Sequence, residues 1–400
     1  MATTEDRDLR SGLSVWKEPP LIGKPLNGDL RVDVLVIGGG VTGVLLAERL
    51  SHHFSVAVVD ERGAARGSTT ASTGLLLFEV DTPLIELRKK IGRDNADRAW
   101  IRSDRAMREL LKRIERLRIE CDMTRCDSIY LPGDTLDAEG LAEEAQARIE
   151  CRLPSRWVHG AELRSRYPVE GKAAIISGNS ARVNPVRFAL GFLQHAMSRD
   201  TQVFSKAEIT GIESTGSGVI AWTKEGPTVT AKFAVFATGY EMPKYLSAPG
   251  KEVASTWVIA TVAQPIEPSI HSALIWEAAD PYYYVRTTDD GRAIVGGEDE
   301  DFDDENRRKE LTPAKAKKLQ EKLRTLFPQL DPTIDFAWSG TFGTSDTGLP
   351  SMGAIPGKPN CYAVLGFGGN GMTYAEIGAQ LIERMLLGET DPDADLFKLS

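Results

Sequence analysis

Cysteine is scarce in this chain, and its few copies stand apart. Cys121, Cys126, Cys151 and Cys361 are the only ones, and no pair shows the C-x-x-C spacing that metal and redox sites favour. Reduced thiols in a cytoplasmic protein are therefore expected, with no metal site. Excess positive charge is also missing. The formal net charge is −9, which leaves no basic field to gather nucleic acid or anionic lipid. No stretch reaches the roughly 18 unbroken apolar residues of a membrane-spanning helix. The opening "MATTEDRDLRSG" is polar, so neither a secretory leader nor an anchor is expected there. Histidine is limited to five residues, placed singly or, as with His52 and His53, at the end of a helical run. No His–Asp constellation is expected to carry catalysis.

What is present reads as a globular protein of two interleaved domains, with 42% hydrophobic and 26% charged residues in a chain of 400. The first 30 residues, holding Pro19, Pro20 and Pro25, read as an irregular lead-in. "RVDVLVIGG" then reads as a buried strand, and "SVAVVDE" as a second strand after an intervening helix. Strand, glycine turn, helix and strand make a βαβ unit and hence a parallel sheet. Residues 83–119 read as helical by apolar spacing, and "NPVRFALGFLQHAM" as a helix with Pro185 at its start. Three strand-like runs follow, ending in "VFATG", and then a strand-rich stretch from about 252 to 300 with a hairpin signal at "DDG". The acidic run "GGEDEDFDDE" (296–305) reads as a solvated loop.

In "GGGVTG", Gly38, Gly40 and Gly43 match G-x-G-x-x-G. The first glycine makes a tight turn, the second admits a pyrophosphate close to the backbone, and the third lets helix pack on strand. Asp60 closes the second strand 17 residues after Gly43, where a carboxylate accepts hydrogen bonds from a ribose. NAD and FAD both fit this turn. Two further stretches favour the flavin. "ERGAARGSTTASTGLL", directly after Asp60, is rich in small and hydroxyl residues that let backbone approach a large flat ligand. "GFGGNGMT" (366–373) sits between an apolar strand and a helix start, a second helix N-terminus suited to negative charge on a reduced flavin.

With "VIGGGVTG", "VVDERGAARGSTTASTG", "NPVRFALGFLQHA", "VFATG" and "TSDTGLPSMGAIPG" followed by "YAVLGFGGNGMT", the chain resembles the FAD-dependent D-amino-acid oxidase family from about Asp33 to about Leu387. The resemblance implies an α/β fold: a Rossmann-like FAD-binding domain built from discontinuous segments (30–82, 156–245 and 339–390). An inserted α+β substrate domain with a mixed sheet takes 83–155 and 246–338. It also implies Gly38, Gly40 and Gly43 at the pyrophosphate, with Asp60 and Glu61 at the adenosine ribose. Ser68, Thr69, Ser72, Thr73 and Gly74 would run along the diphosphate and the isoalloxazine, with Gly239 closing "VFATG". Gly368, Gly369, Asn370, Gly371, Met372 and Thr373 would cover the pyrimidine end of the ring. Asn370 departs from the histidine that members often carry. "TFGTSDTGLP" lacks the Cys or His of members with attached flavin, so FAD bound without a covalent link is expected.

The implied chemistry asks little of the protein. A neutral amine held with its Cα–H against flavin N5 passes a hydride directly, and the imine hydrolyses in water. An amino-acid substrate would need an anchor for its carboxylate. In "PYYYVRTTDDGR", Tyr282, Tyr284 and Arg286 share one face of a strand by period two and would clamp that carboxylate over the flavin. The alternative is an edge strand with its aromatics against a helix and Arg286 in water. Trp276 and Phe342 are weaker candidates for an aromatic wall, the alternative being core. The leading expectation is FAD-dependent oxidation of the C–N bond of a small-molecule amine or amino acid. Electrons would leave to oxygen, a quinone or a carrier protein. Flavin dehydrogenation of a 2-hydroxy acid or similar alcohol, and a flavin-binding subunit of a larger oxidase complex, stay open as alternatives. A monooxygenase is disfavoured by the lack of a second G-x-G-x-x-G.

Overall fold

The computed structural model describes residues 9–241, 251–365 and 368–399. The first eight residues of the lead-in, the expected domain boundary at 245/246, and Gly366 and Phe367 of the second glycine loop lie outside the described residues. The protein is mixed α/β, and its described strands form two sheets, one of eight strands and one of ten.

The smaller sheet grows around Leu30–Ile37, an aliphatic run whose inner residues are buried on both faces, as parallel strands require. Val56–Asp60 and Thr228–Phe236 flank it in parallel register. Gln202–Ser205 and Cys361–Leu365 extend the parallel set on either side. One face is covered by the helices Val41–Leu50, Arg93–Leu117, Pro185–Met197 and Gly371–Leu386, which share a core with Val44, Leu46, Trp100, Phe188, Phe192 and Ile377. On the other face, Leu35, Val59, Phe204 and Phe236 pack with Val219 and Ala221 of the antiparallel ribbon Ile209–Thr215 and Gly218–Thr223.

The larger sheet is mixed. Lys251–Thr261 pairs antiparallel with Ala293–Glu300 and Ile334–Ser345, while Ala273–Glu277 joins Thr124–Leu131 in parallel. The helix Glu305–Leu326 covers it through Leu319 and Leu323. None of the described helices is long and apolar enough to cross a membrane.

Several expectations need correction. The helical stretch 83–119 is two helices, Leu84–Ile91 and Arg93–Leu117, broken at Gly92 with φ +83°. The second of them, expected with the substrate domain, buries Trp100, Met107, Leu110 and Leu111 in the core of the smaller sheet. Conversely, residues 156–159 and Ala173–Arg182, expected in the FAD-binding domain, belong to the larger sheet, because Ala173–Arg182 pairs with both Thr124–Leu131 and Ser155–His159. Ile334–Ser345 likewise carries 339–345 into that sheet. The acidic run is not a free loop. It completes the strand Ala293–Glu300, buries Glu298 against Lys315 and Lys318, and supplies Asp304 as the N-cap of the following helix. The lead-in is also held. Arg10–Gly12 pairs with Ile334–Ser345, and Trp16 Nε1 donates to Ser72 O at 2.7 Å, fastening the segment over the loop after Asp60.

This architecture fixes where a ligand goes. The parallel strands end together at Ile37, Asp60 and Phe236, and open sheets bind ligands at such carboxyl ends.

Candidate active site

A cavity of about 570 Å³ begins at those strand ends and continues under the larger sheet, within the usual range for small-molecule sites of roughly 300–1,000 Å³. Its first half is built from backbone. Gly38 takes φ +105°, and a Cβ there would lie 2.4 Å from Ala237 O. A Cβ on Gly43 would lie 1.8 Å from Gly38 O, so only glycine lets the helix sit this close to the turn. Gly40 caps the helix Val41–Leu50 without a side-chain bond. The amino end of that helix faces the cavity at Gly40, Val41 and Thr42, as an anion site requires. Thr69 Oγ1 accepts Val41 N at 3.2 Å. Asp60 takes Gly39 N on Oδ2 (2.7 Å), and Arg62 N and Gly63 N on Oδ1 (2.8 and 2.7 Å). A carboxylate has about four lone-pair sites, so one remains for a ribose hydroxyl. Glu61 also lines this end, its carboxyl raised by burial, next to the Arg62–Glu241 ion pair.

Ser68, Thr69, Ser72, Thr73, Gly239, Gly368, Gly369, Asn370, Gly371 and Met372 all line the same cavity. Gly43, Gly74 and Thr373 lie behind it and hold the wall in place. Gly74 turns at φ +70° where a Cβ would meet Val183 O at 2.2 Å, and Thr373 Oγ1 donates to Leu77 O at 2.6 Å.

The second half is built from side chains. Tyr282 and Tyr284 line it with ring centroids 5.9 Å apart, joined by Trp276 and Phe342. Tyr284 lies over Gly296 of the neighbouring strand, where any Cβ would come within 2.1 Å of its ring. Arg286 does not join them. It is buried, and its Nη1 donates to Thr73 O (2.8 Å), Gly74 O (3.0 Å) and Val183 O (2.8 Å). Burial, with Arg182 close by, lowers its pKa to about 9. Period two does carry Arg286 to the side of Tyr284, but its Nη1 is held by three carbonyls, two in the loop after Asp60 and one at Val183. It fastens that loop and lies outside the cavity lining.

Two carboxylates that sequence reasoning missed stand in this half. Asp81 accepts Gly369 N on Oδ2 (2.8 Å) and Asn370 Nδ2 on Oδ1 (2.9 Å), and burial raises its pKa to about 6. Asn370 Nδ2 also reaches Glu79 O at 2.6 Å. Glu79 is fully buried, which pushes its carboxyl upward, and it pairs with Arg148 at 3.1 Å. Their sequence signal was the i, i+2 spacing in "FEVDTP", which puts both on one side of an extended segment. Among the described residues no cysteine or histidine lines the cavity. No group of three or more metal-ligating side chains occurs among them either.

The glycine cradle, the two helix amino ends and the acidic strand end fit FAD. Comparison with known proteins agrees. The chain is 24% identical over 388 residues to gamma-glutamylputrescine oxidoreductase of Escherichia coli (strain K12), covering 92% of this chain and 86% of that one. It is 24% identical over 374 residues to sarcosine oxidase subunit beta of Rhizobium meliloti (strain 1021), covering 88% and 82%. Among solved structures, glycine oxidase from Geobacillus kaustophilus superposes with a TM-score of 0.77 at 19% identity, covering 93% of this chain and 99% of that one. The profile of the FAD dependent oxidoreductase family (DAO) matches residues 33–385. With its cradle, its cavity and this match together, the chain belongs to the DAO family of FAD-dependent oxidoreductases, and FAD is its cofactor.

Proposed function

We propose that this enzyme oxidises the C–N bond of an amine or amino acid to an imine, with FAD held without a covalent link. The observation that carries the reading is the second half of the cavity. Aromatic rings wall it, and its two carboxylates are already engaged, Asp81 by Gly369 N and Asn370 Nδ2 and Glu79 by Arg148. Such a site suits a reaction that needs orientation and exclusion of water more than proton abstraction from carbon. FAD, when bound, supplies the acceptor for the hydride and its two electrons. The chain's own residues do the rest. Gly38, Gly40 and the amino end of Val41–Leu50 receive the diphosphate. Arg286 fixes the carbonyls of Thr73 and Gly74. Asp81 holds Gly369 and Asn370 in place. Tyr282, Tyr284 and Trp276 wall the space left for substrate. The names of the relatives, a putrescine-derived amine, sarcosine and glycine, support the C–N assignment. The absence of Cys and His from the described lining supports the non-covalent link.

The test is the visible spectrum of the purified holoprotein without oxygen, as amines, N-methyl amino acids, D-amino acids and 2-hydroxy acids are added in turn. Bleaching of the flavin band by nitrogen compounds is expected. Bleaching by hydroxy acids alone would replace the C–N reading with oxidation of an alcohol. A bound flavin that no compound reduces would favour a subunit whose partner completes the site. Release of the flavin on acid precipitation checks the non-covalent link.

A further inference from the structure

We propose that Trp16 is a positioning residue for the flavin. Through it the lead-in, which lies outside the stretch matched by the family profile, sets the shape of the loop along which the flavin would run. This inference rests on FAD as the cofactor and on Ser72 and Thr73 in the cavity lining, and it is independent of the C–N reading.

The first observation is how the loop after Asp60 is held. Past the short helical turn Ser68–Thr70, residues 71–74 run without helix or strand until Leu75–Leu76. Four successive carbonyls of that stretch accept side-chain donors. Ala71 O takes Trp338 Nε1 at 3.0 Å, and Ser72 O takes Trp16 Nε1 at 2.7 Å. Thr73 O and Gly74 O take Arg286 Nη1 at 2.8 and 3.0 Å. Gly74 O also accepts Val183 N at 2.9 Å. Backbone outside regular structure must find its partners elsewhere, and here three side chains supply them. Ser72 and Thr73 line the cavity, whereas Trp16, Trp338 and Arg286 do not. The wall is therefore shaped from behind.

The second observation is that the donors support one another. The Arg286 guanidinium stands over the Trp16 ring, 5.6 Å from its centroid, within the reach of a cation–π attraction. Trp16, Val15 and Ala71 pack together against Trp338, Val258 and Ile294 of the larger sheet.

The third observation is where the lead-in is anchored. Arg10–Gly12 pairs with Ile334–Ser345, and Ser11 Oγ meets Ser339 Oγ at 2.6 Å. Past Trp16, Pro19 O accepts Arg66 Nη2 at 2.6 Å. Lys24 then exchanges backbone bonds with Val203 and Ser205 of the smaller sheet, both at 3.2 Å. The segment crosses from one sheet to the other over the loop and is tied on both sides of Trp16. Leu9 itself lines the cavity. A carbonyl held by a donor so anchored has little freedom to turn, as a wall beside a flat ring requires.

The experiment is Trp16→Phe, which keeps a ring under Arg286 and removes the N–H from Ser72 O. Trp257→Phe is the matched control. Trp257 is buried on the helix-covered face of the larger sheet, donates Nε1 to Arg308 O at 3.3 Å, and lies outside the cavity lining. Each variant loses one indole donor to a backbone carbonyl. The apoproteins are titrated with FAD by quenching of flavin fluorescence, and apoprotein melting temperatures and holoprotein visible spectra are recorded. Trp16→Phe should raise the FAD dissociation constant roughly tenfold and blunt the fine structure of the visible flavin band. Trp257→Phe should lower the melting temperature at least as much and leave the FAD constant within about twofold of the parent. An unchanged FAD constant and spectrum in Trp16→Phe, or equal losses in both variants, would overturn the inference and leave the lead-in a tether for stability alone. Should Trp16→Phe fold poorly, hydrogen exchange of the parent protein decides. Residues 13–20 and 68–76 should gain protection together when FAD is added, and a lead-in whose exchange ignores FAD would overturn the inference.

Discussion

The two halves of the cavity are held by different means. At the Asp60 end the backbone does the work: glycines at Gly38 and Gly43 bring strand and helix together, and three N–H groups fix one carboxylate. At the tyrosine end the work falls to side chains that arrive from distant parts of the chain. Asp81 reaches Gly369 and Asn370 across 288 and 289 residues, and Arg286 reaches Thr73 across 213. The first half is a rigid socket, the part proposed above to receive the cofactor. The second is assembled by long-range contacts, so the substrate preference can change without disturbing the socket.

The sharpest way to break this contrast is inside the socket. Gly43→Ala would drive a Cβ to 1.8 Å from Gly38 O, a backbone atom that cannot swing aside. The turn and the helix must part, and the loss of stability should be about 3 kcal/mol or more. The expected outcome is little folded flavoprotein and a low flavin-to-protein ratio. Gly40→Ala is the companion variant, since a Cβ there meets only Thr69 Oγ1, at 3.5 Å. It should fold with a nearly native melting temperature and bind FAD more weakly. Equal damage from both would mean that the socket is not a steric device.

Next comes the bolt between the halves. Arg286→Gln removes a guanidinium from three carbonyls and leaves buried acceptors open, which costs about 2–4 kcal/mol. The melting temperature and flavin retention should both fall. The ratio of kcat/KM for a simple amine to that for an amino acid should stay as in the parent. A selective loss on the amino acid would instead restore Arg286 as a carboxylate anchor.

This distinction also separates what the sequence discloses from what it hides. Gly38, Gly40, Gly43 and Asp60 belong to one strand–turn–helix–strand run, where spacing along the chain is spacing in space. Their places were legible for that reason. The hairpin of Tyr284 and Arg286 was legible as well, and the side on which Arg286 lies followed from its period. Its task did not, because Thr73, Gly74 and Val183 reach it only through the pairing of Leu75–Leu76 with Ala173–Arg182. Glu79 and Asp81 were hidden by the same cause. Nothing within "FEVDTP" tells that Asn370 and Arg148 come to meet it. The helix Arg93–Leu117 was recognised by its apolar stripe, but the stripe does not say which sheet it covers.

The smallest effect belongs to the tyrosine half and is read through pH. Asp81 has its pKa raised from 3.8 to about 6 by burial, with Gly369 N partly offsetting the shift. A carboxyl raised on folding binds its proton more tightly in the native state. Its contribution to stability is therefore full below about pH 4 and is lost as pH climbs through about 6. Two pKa units correspond to about 3 kcal/mol, and because Asp81 faces a hollow rather than solid protein, about 1–3 kcal/mol is expected. Asp81→Asn removes the titration while keeping an oxygen for Gly369 N and an amide of similar shape. In denaturant unfolding of FAD-saturated protein between pH 4 and 7.5, the parent should lose stability relative to the variant as pH rises, by that amount. A constant difference across the range would mean that the carboxylate is fully supported by its two donors. The side-chain half would then be as firmly preorganised as the glycine socket.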